Sequence, residues 1–194
     1  MDFKFFLISL KNILLNPVKA WETIDSENRS IKVVRDSFLI PLLLLVTIST
    51  IAGSLIFINT ELSPVYSILT GVKTFLAIFI TVYASSLIFK EITYPLDLGR
   101  DFSVSFRIIT FSITPFLICL FVSNIFESLL FLDILGLYGL YILWTGAEKL
   151  LNPPQYKKMP LLIASVITMG GVYTISVVLL NMLTDRIFYA FFSH

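Results

Sequence analysis

The chain has 194 residues, of which 57% are hydrophobic and only 14% are charged, and its mean hydropathy is +0.90. About a quarter of the residues of a soluble globular domain are charged, so this chain has too little polar material to cover a water-facing surface. Composition therefore excludes an ordinary soluble protein. The net charge of +1 does not separate classes of membrane protein, and the single cysteine, Cys119, excludes an intrachain disulfide bond.

Residues 1–36 are predicted to form short cytosolic or interfacial helices. Apolar side chains recur at helical spacing over the first half of this segment, at Phe3, Phe6, Leu7, Leu10 and Leu14, with lysines between them. Such a stripe is typical of an amphipathic helix that lies in the membrane surface.

A second helix is predicted to follow Asn16–Pro17, because asparagine caps helices and proline suits the first helical position. Trp21 falls in this helix and is predicted to be interfacial, with its ring buried and its N–H wet. The alternative is that the whole N-terminal region packs on the helical bundle.

Five apolar segments are each long enough to cross about 30 Å of hydrocarbon as a helix, which takes about 20 residues. They cover about 37–59, 64–91, 103–124, 127–149 and 159–184. Apolar residues run continuously in each segment and do not alternate, which favours helices over barrel strands. The sequence thus predicts an all-α integral membrane protein whose residues 37–194 form a domain of five transmembrane helices.

Basic residues predict the orientation, because cytoplasmic loops are rich in lysine and arginine. Arg186 is the only basic residue on one side of the five predicted helices, and Lys73 and Arg107 lie within them. The other eleven fall on the opposite side: Lys4, Lys11, Lys19, Arg29, Lys32, Arg35, Lys90, Arg100, Lys149, Lys157 and Lys158. We expect a cytoplasmic N-terminus, with Glu61, Glu127 and His194 across the membrane.

The sequence has no pattern typical of an enzyme. Its one histidine, His194, is the last residue, and the chain has no phosphate-binding glycine loop and no nucleophile elbow. Metal sites need clusters of histidine, cysteine or carboxylate residues at set spacings, which are absent from the sequence. We predict a non-enzymatic protein with no cofactor, no metal and no nucleic-acid partner.

Ionisable residues within transmembrane helices are costly and point to function. Lys73 and Asp133 fall at similar depth in the outer halves of the second and fourth predicted helices, and we predict that they form an ion pair. The alternative is that each side chain reaches the outer interface alone. Arg107, near the inner end of the third helix, is predicted to contact lipid phosphate at the interface.

A polar kink is predicted in the third helix, where Thr110, Ser112 and Thr114 precede Pro115. Proline removes a backbone hydrogen bond, so the helix bends there. Kinks of this type line sites in transporters and also occur in purely structural bundles. Close packing of the fourth and fifth helices against each other is predicted from their glycines, which are Gly136, Gly139, Gly146, Gly170 and Gly171.

The order of three motifs resembles bacterial members of the Yip family. Residues Phe106–Pro115 resemble their third transmembrane segment, and Leu137–Gly146 resemble the fourth, in which a Tyr-x-x-Tyr pattern is followed by glycine. Asn16–Pro17 with Trp21 and Ile24 resembles the segment before the membrane. The family-motif positions in the fourth segment are Tyr138, Gly139, Tyr141 and Gly146.

The resemblance implies a multi-pass protein with a cytosolic N-terminus, in the cytoplasmic membrane of a bacterium. Eukaryotic members bind Ypt/Rab GTPases, but this chain lacks their Asp-Leu-Tyr-Gly-Pro motif. Two classes of function stay open. One is a membrane organiser that binds lipids and membrane or peripheral proteins. The other is a small transporter, channel or lipid-moving protein, for which one copy is narrow, so that a homo-oligomer is expected.

Overall fold

The structure, a computed structural model, describes the backbone of residues 3–57 and 63–192, and their side chains except at residues 57, 63, 127, 128, 130, 133 and 187–192. The described residues are almost entirely helical. In chain order they form α1 Phe3–Leu15, α2 Pro17–Glu27, α3 Ile31–Val34, a π-helical turn Arg35–Leu39, α4 Ile40–Phe57, α5 Ser63–Thr93, α6 Phe102–Ser112, α7 Thr114–Ile125, a 3₁₀ helix Glu127–Leu137, α8 Tyr138–Leu151 and α9 Gln155–Phe192.

Four helical segments of the described chain are long and apolar enough to cross a membrane. They are Ile31–Ile56, Pro64–Thr93, Phe102–Ile125 and Gln155–Arg186. Their positions match the first, second, third and fifth predicted segments, although helix Ile31–Ile56 begins six residues before the predicted start at 37. The chain therefore carries several membrane-spanning helices, as its composition indicates.

The fourth predicted segment, 127–149, is not one continuous α-helix. Its first half is the 3₁₀ helix Glu127–Leu137, which includes a non-helical residue, Leu129, and only its second half, α8, is α-helical. Runs of 3₁₀ helix longer than four residues are uncommon, because the hydrogen bonds are poorly aligned. Hydropathy alone did not reveal this change, since the mean hydropathy of a segment depends on its composition and not on its hydrogen-bonding pattern.

Helices α6 and α7, which are separated only by Ile113 at the position of the predicted kink, lie at the centre of the bundle. Every residue from Ser105 to Pro115 is buried. A helix at the edge of a bundle would instead expose one of its sides to lipid. Helices α4, α5, α8 and the 3₁₀ helix contact this pair, and the long α9 packs along α5. The third predicted segment is therefore the core of the protein.

The two N-terminal helices pack against the end of this bundle. Phe6 and Ile13 of α1 are buried, and so are Ala20 and Trp21 of α2. The cap of α2 has the predicted form: Asn16 Oδ1 accepts a hydrogen bond from the backbone N–H of Lys19, with Pro17 as first helical residue. The opposite side of α1 is exposed, so packing on the bundle uses only half of that helix.

The loops that carry the basic residues meet at one end of the bundle. Lys157, at the start of α9, donates to the carbonyl oxygen of Leu96 and lies 3.1 Å from the Asp97 carboxylate in the loop after α5. Lys158 forms an ion pair with Glu148 near the end of α8. These contacts bring the α5–α6 and α8–α9 connections together at the end to which α2 is attached.

Helices α4 and α7 approach closely near their far ends. A Cβ atom built on Gly53 would lie 1.8 Å from the carbonyl oxygen of Asn124, so only glycine fits there. The Asn124 amide also donates to the hydroxyl of Thr50 at 2.9 Å. A small residue and an interhelical hydrogen bond, the usual means of joining helices in lipid, occur here together.

Candidate functional site

Trp21 joins the N-terminal helices to the bundle. Its ring, predicted to be interfacial, is fully buried within the protein, and its Nε1–H donates to the carbonyl oxygen of Ile142 at 3.1 Å. The ring also meets Phe111 edge-on, with centroids 5.8 Å apart. Protein atoms cover the apolar surface of the ring and accept the hydrogen bond of its N–H group, so neither contacts a lipid headgroup.

The glycine of the fourth-segment motif makes room for this ring. A Cβ atom built on Gly146 would lie 2.5 Å from Cζ2 of Trp21, well inside contact distance. Gly139 stands in a similar relation to the kinked helix, because its Cβ would lie 2.3 Å from the carbonyl oxygen of Ser112. The predicted packing of these glycines on the fifth segment is therefore wrong: they pack on α2 and α6, and Gly170 and Gly171 have no atom within 4 Å of a built Cβ.

The predicted polar kink lies where α6 ends at Ser112 and α7 begins at Thr114. Thr114 donates to the carbonyl oxygen of Thr110 at 3.2 Å. The hydroxyls of Thr110 and Ser112 are buried and have no hydrogen-bond partner. A buried hydroxyl without a partner is unfavourable, so this stretch of helix retains unused hydrogen-bonding capacity.

The two tyrosines of the fourth-segment motif have different environments. Tyr138 donates from its hydroxyl to the carbonyl oxygen of Leu14, at the end of α1, over 3.1 Å. Tyr141 is half-exposed, and its ring lies 5.7 Å from that of Tyr138. Tyr138 thus attaches α1 to α8, as Trp21 attaches α2 to α8.

Arg107 does not lie open to the interface. Its side chain is buried, with Nε donating to the carbonyl oxygen of Ser103 at 3.3 Å and Nη1 to that of Ile24 at 3.5 Å. The contact with Ile24 ties α6 to the last turns of α2. The sequence did not reveal that α2 covers this residue.

Lys73 is half-buried in α5, away from the junction of motifs, and the side chain of its predicted partner Asp133 lies outside the described residues. Their ion pair stays a prediction. A double-mutant cycle on unfolding tests it: a coupling energy above about 0.5 kcal/mol supports the pair, and additive effects contradict it. Within the described part of the chain, no three histidine, cysteine or carboxylate side chains are grouped to hold a metal ion.

An aromatic cluster that sequence reasoning missed completes the junction. Phe38, next to the start of α4, lies 4.5 Å from Phe111 and 5.9 Å from Phe6, measured between ring centroids. These rings connect α1, the first membrane-spanning segment and α6. The sequence carries no specific signal for this cluster, because the π-helical turn that holds Phe38 is seen only in the structure.

The three motifs, whose order along the chain resembles that of known proteins, therefore meet in space. Helices α2, α6 and α8 are in direct contact around Trp21. A family model described as the Yip1 domain matches residues 11–178, which include all three motifs. Comparisons with the curated proteins and with the solved structures find no match to this chain. On the extent of the domain match, the chain belongs to the Yip family of membrane proteins.

Proposed function

We propose that this protein is a non-enzymatic membrane organiser that binds anionic lipids, and through them peripheral or membrane proteins, with its α1 surface. The observation that carries the proposal is the exposed side of α1. It combines the large apolar side chains Phe3, Leu7 and Leu15 with the charged groups of Lys4 and Lys11. Apolar and basic groups side by side are what a lipid interface accommodates.

The attachment of α1 to the bundle supports this role. Phe6 and Ile13 hold the opposite side of the helix on the protein, and Tyr138 binds its last turn. The helix is therefore presented in a fixed orientation and does not depend on lipid to fold. Juxtamembrane basic residues each contribute about 1 kcal/mol of attraction to an anionic surface, and the exposed Lys4 and Lys11 supply this attraction on α1.

We infer five crossings of the cytoplasmic membrane of a bacterium, with the N-terminus in the cytoplasm. Contacts of Gly139 with Ser112 and of Glu148 with Lys158 support a return crossing by the 3₁₀ helix and α8, antiparallel to α6–α7. Eleven 3₁₀ residues at about 2.0 Å each, followed by α8, are long enough for it.

Alkaline phosphatase, which is active only outside the cytoplasm, tests this topology as a fusion after His194. We expect activity there. We expect none for a fusion in the loop at Arg100, because basic loops are predicted to be cytoplasmic. Five crossings would be contradicted if a reporter that works only in the cytoplasm were active when fused after His194.

Lipid binding by α1 predicts a specific pattern of amide hydrogen exchange. With the full chain in nanodiscs, amides of residues 3–15 should exchange more slowly in phosphatidylglycerol than in phosphatidylcholine, and salt should reduce the difference because the attraction is partly electrostatic. The double variant Lys4→Gln/Lys11→Gln should lose most of the difference.

The matched control is Lys32→Gln/Lys149→Gln, which removes the same charge from exposed positions outside α1 and should keep the difference. Equal exchange in both lipids for the unmodified chain contradicts the proposal. The alternative of a transporter, channel or lipid-moving protein, acting as a homo-oligomer, predicts flux of ions or labelled lipids in proteoliposomes. We expect none above that of empty vesicles.

A further inference from the structure

A cavity of about 310 Å³ lies beside the kink, between the central helix and α9. Its walls include Ser112, Phe116, Gly139, Leu140, Gly170 and Tyr173. This volume is about twice the ~150 Å³ of an engineered apolar cavity that takes up benzene. Leu137 and Leu140, at its edge, are exposed on the outside of the bundle, so the cavity opens sideways.

The position of the cavity determines what reaches it. Ser112 and Gly170 both lie in the interior of membrane-spanning helices, Phe102–Ile125 and Gln155–Arg186. A sideways opening at that depth meets hydrocarbon chains and not water. The occupant must therefore enter from the lipid phase.

The chemistry of the walls excludes a charged group inside the cavity. None of the described residues that line it is charged, and a charge placed there would lack both water and a counter-ion. Most of the wall is apolar, from side chains such as Ile113, Leu143 and Met169. The walls therefore fit hydrocarbon.

One polar group in the wall is unused. The hydroxyl of Ser112 is buried and has no hydrogen-bond partner, whereas the hydroxyl of Thr81, also in the wall, donates to the carbonyl oxygen of Ala77. A ligand oxygen next to Ser112 would satisfy its hydroxyl as donor or acceptor.

We propose that this cavity binds an uncharged lipid, with a hydrocarbon body in the apolar part and one alcohol or carbonyl oxygen hydrogen-bonded to Ser112. A phospholipid does not fit the same requirement, because its charged headgroup is held at the membrane surface. The cavity lies away from α1, so this binding and the binding of α1 to anionic lipid succeed or fail independently.

Photolabelling of the full chain in nanodiscs tests the proposal. The probe is hexadecanol with a diazirine in its chain and a terminal alkyne, and the reference probes are the same chain as an alkane and as part of phosphatidylcholine. We expect saturable labelling by the alcohol, mapped by mass spectrometry to peptides containing Phe116 or residues 169–173. Ser112→Ala should weaken this labelling about 2- to 10-fold, which is the change in affinity expected from the loss of one neutral hydrogen bond.

Two neighbouring glycines supply a matched pair of variants. A Cβ atom built on either Gly170 or Gly171 has no atom within 4 Å, so a side chain can be added at both without a clash at Cβ, but only Gly170 lines the cavity. Gly170→Leu should abolish the saturable labelling, and Gly171→Leu should leave it unchanged.

Three results would overturn the proposal. Labelling by the alcohol that does not saturate, or that survives Gly170→Leu, would show that the cavity is not a binding site. Equal labelling by the alkane would remove the role of Ser112. Saturable labelling by the phosphatidylcholine probe, lost in Gly170→Leu, would make a phospholipid chain the occupant.

Discussion

Trp21→Ala is expected to destabilise the protein by about 3–5 kcal/mol, the usual cost of truncating a buried tryptophan. The ring is fully buried, and its removal leaves a cavity between α2, α6 and α8 together with the loss of the hydrogen bond to Ile142. Denaturant unfolding in detergent measures the loss. Trp21→Phe, which keeps most of the ring, should have a much smaller effect.

The contact between Trp21 and Gly146 makes a sharper version of this experiment possible. Gly146→Leu alone should destabilise the protein by about 1–3 kcal/mol, because its side chain overlaps the tryptophan ring. In the Trp21→Ala background the same leucine has room and fills the cavity. The double variant should therefore be more stable than Trp21→Ala alone. Strictly additive losses would contradict direct packing of the two residues.

Gly139→Ala is expected to cost about 2–3 kcal/mol, although alanine favours helices over glycine. The reason is that the new Cβ would lie 2.3 Å from the carbonyl oxygen of Ser112, a backbone atom that cannot rotate away. Either α8 moves outward or the kinked helix shifts. Thermal unfolding in one detergent measures the change.

Gly171→Ala is the control for Gly139→Ala, since both add one methyl group to a helical glycine within the membrane. Nothing lies within 4 Å of its Cβ, so the gain in helix propensity should stabilise the protein by up to about 1 kcal/mol. If the two variants had equal stability, the close approach of α8 to α6 would be wrong.

Glycine illustrates what could not be predicted from the sequence about the candidate site. Gly146 and Gly170 have the same hydropathy and both fall in apolar segments, yet one holds a tryptophan ring and the other borders open space. Leucine side chains and lipid tails are equally apolar, so burial against protein and burial in lipid look alike in the sequence. The choice of partner for each helix face depends on shape, which only the folded chain supplies.

Asn16, Trp21 and Pro115 show a similar division between local and tertiary information. The cap at Asn16 depends on a few neighbouring residues, and so does the interruption between α6 and α7, which lies just before Pro115. The surroundings of Trp21 depend on Ile142, which is 121 residues away. An amphipathic ring satisfies its N–H equally well at an interface or against a carbonyl group, so its sequence context does not distinguish them.

The sequence by itself determined that this is an α-helical membrane protein, because transfer free energy depends on composition and local periodicity, and both are properties of the chain. Membership of the Yip family follows from the domain match over residues 11–178. Only the tertiary structure decided that α6 is central, that Arg107 and Trp21 are covered, that the fourth segment begins as a 3₁₀ helix, and that a cavity opens beside Ser112. These features arise from the packing of surfaces far apart in the chain, whose apolar faces are interchangeable in composition and differ only in shape.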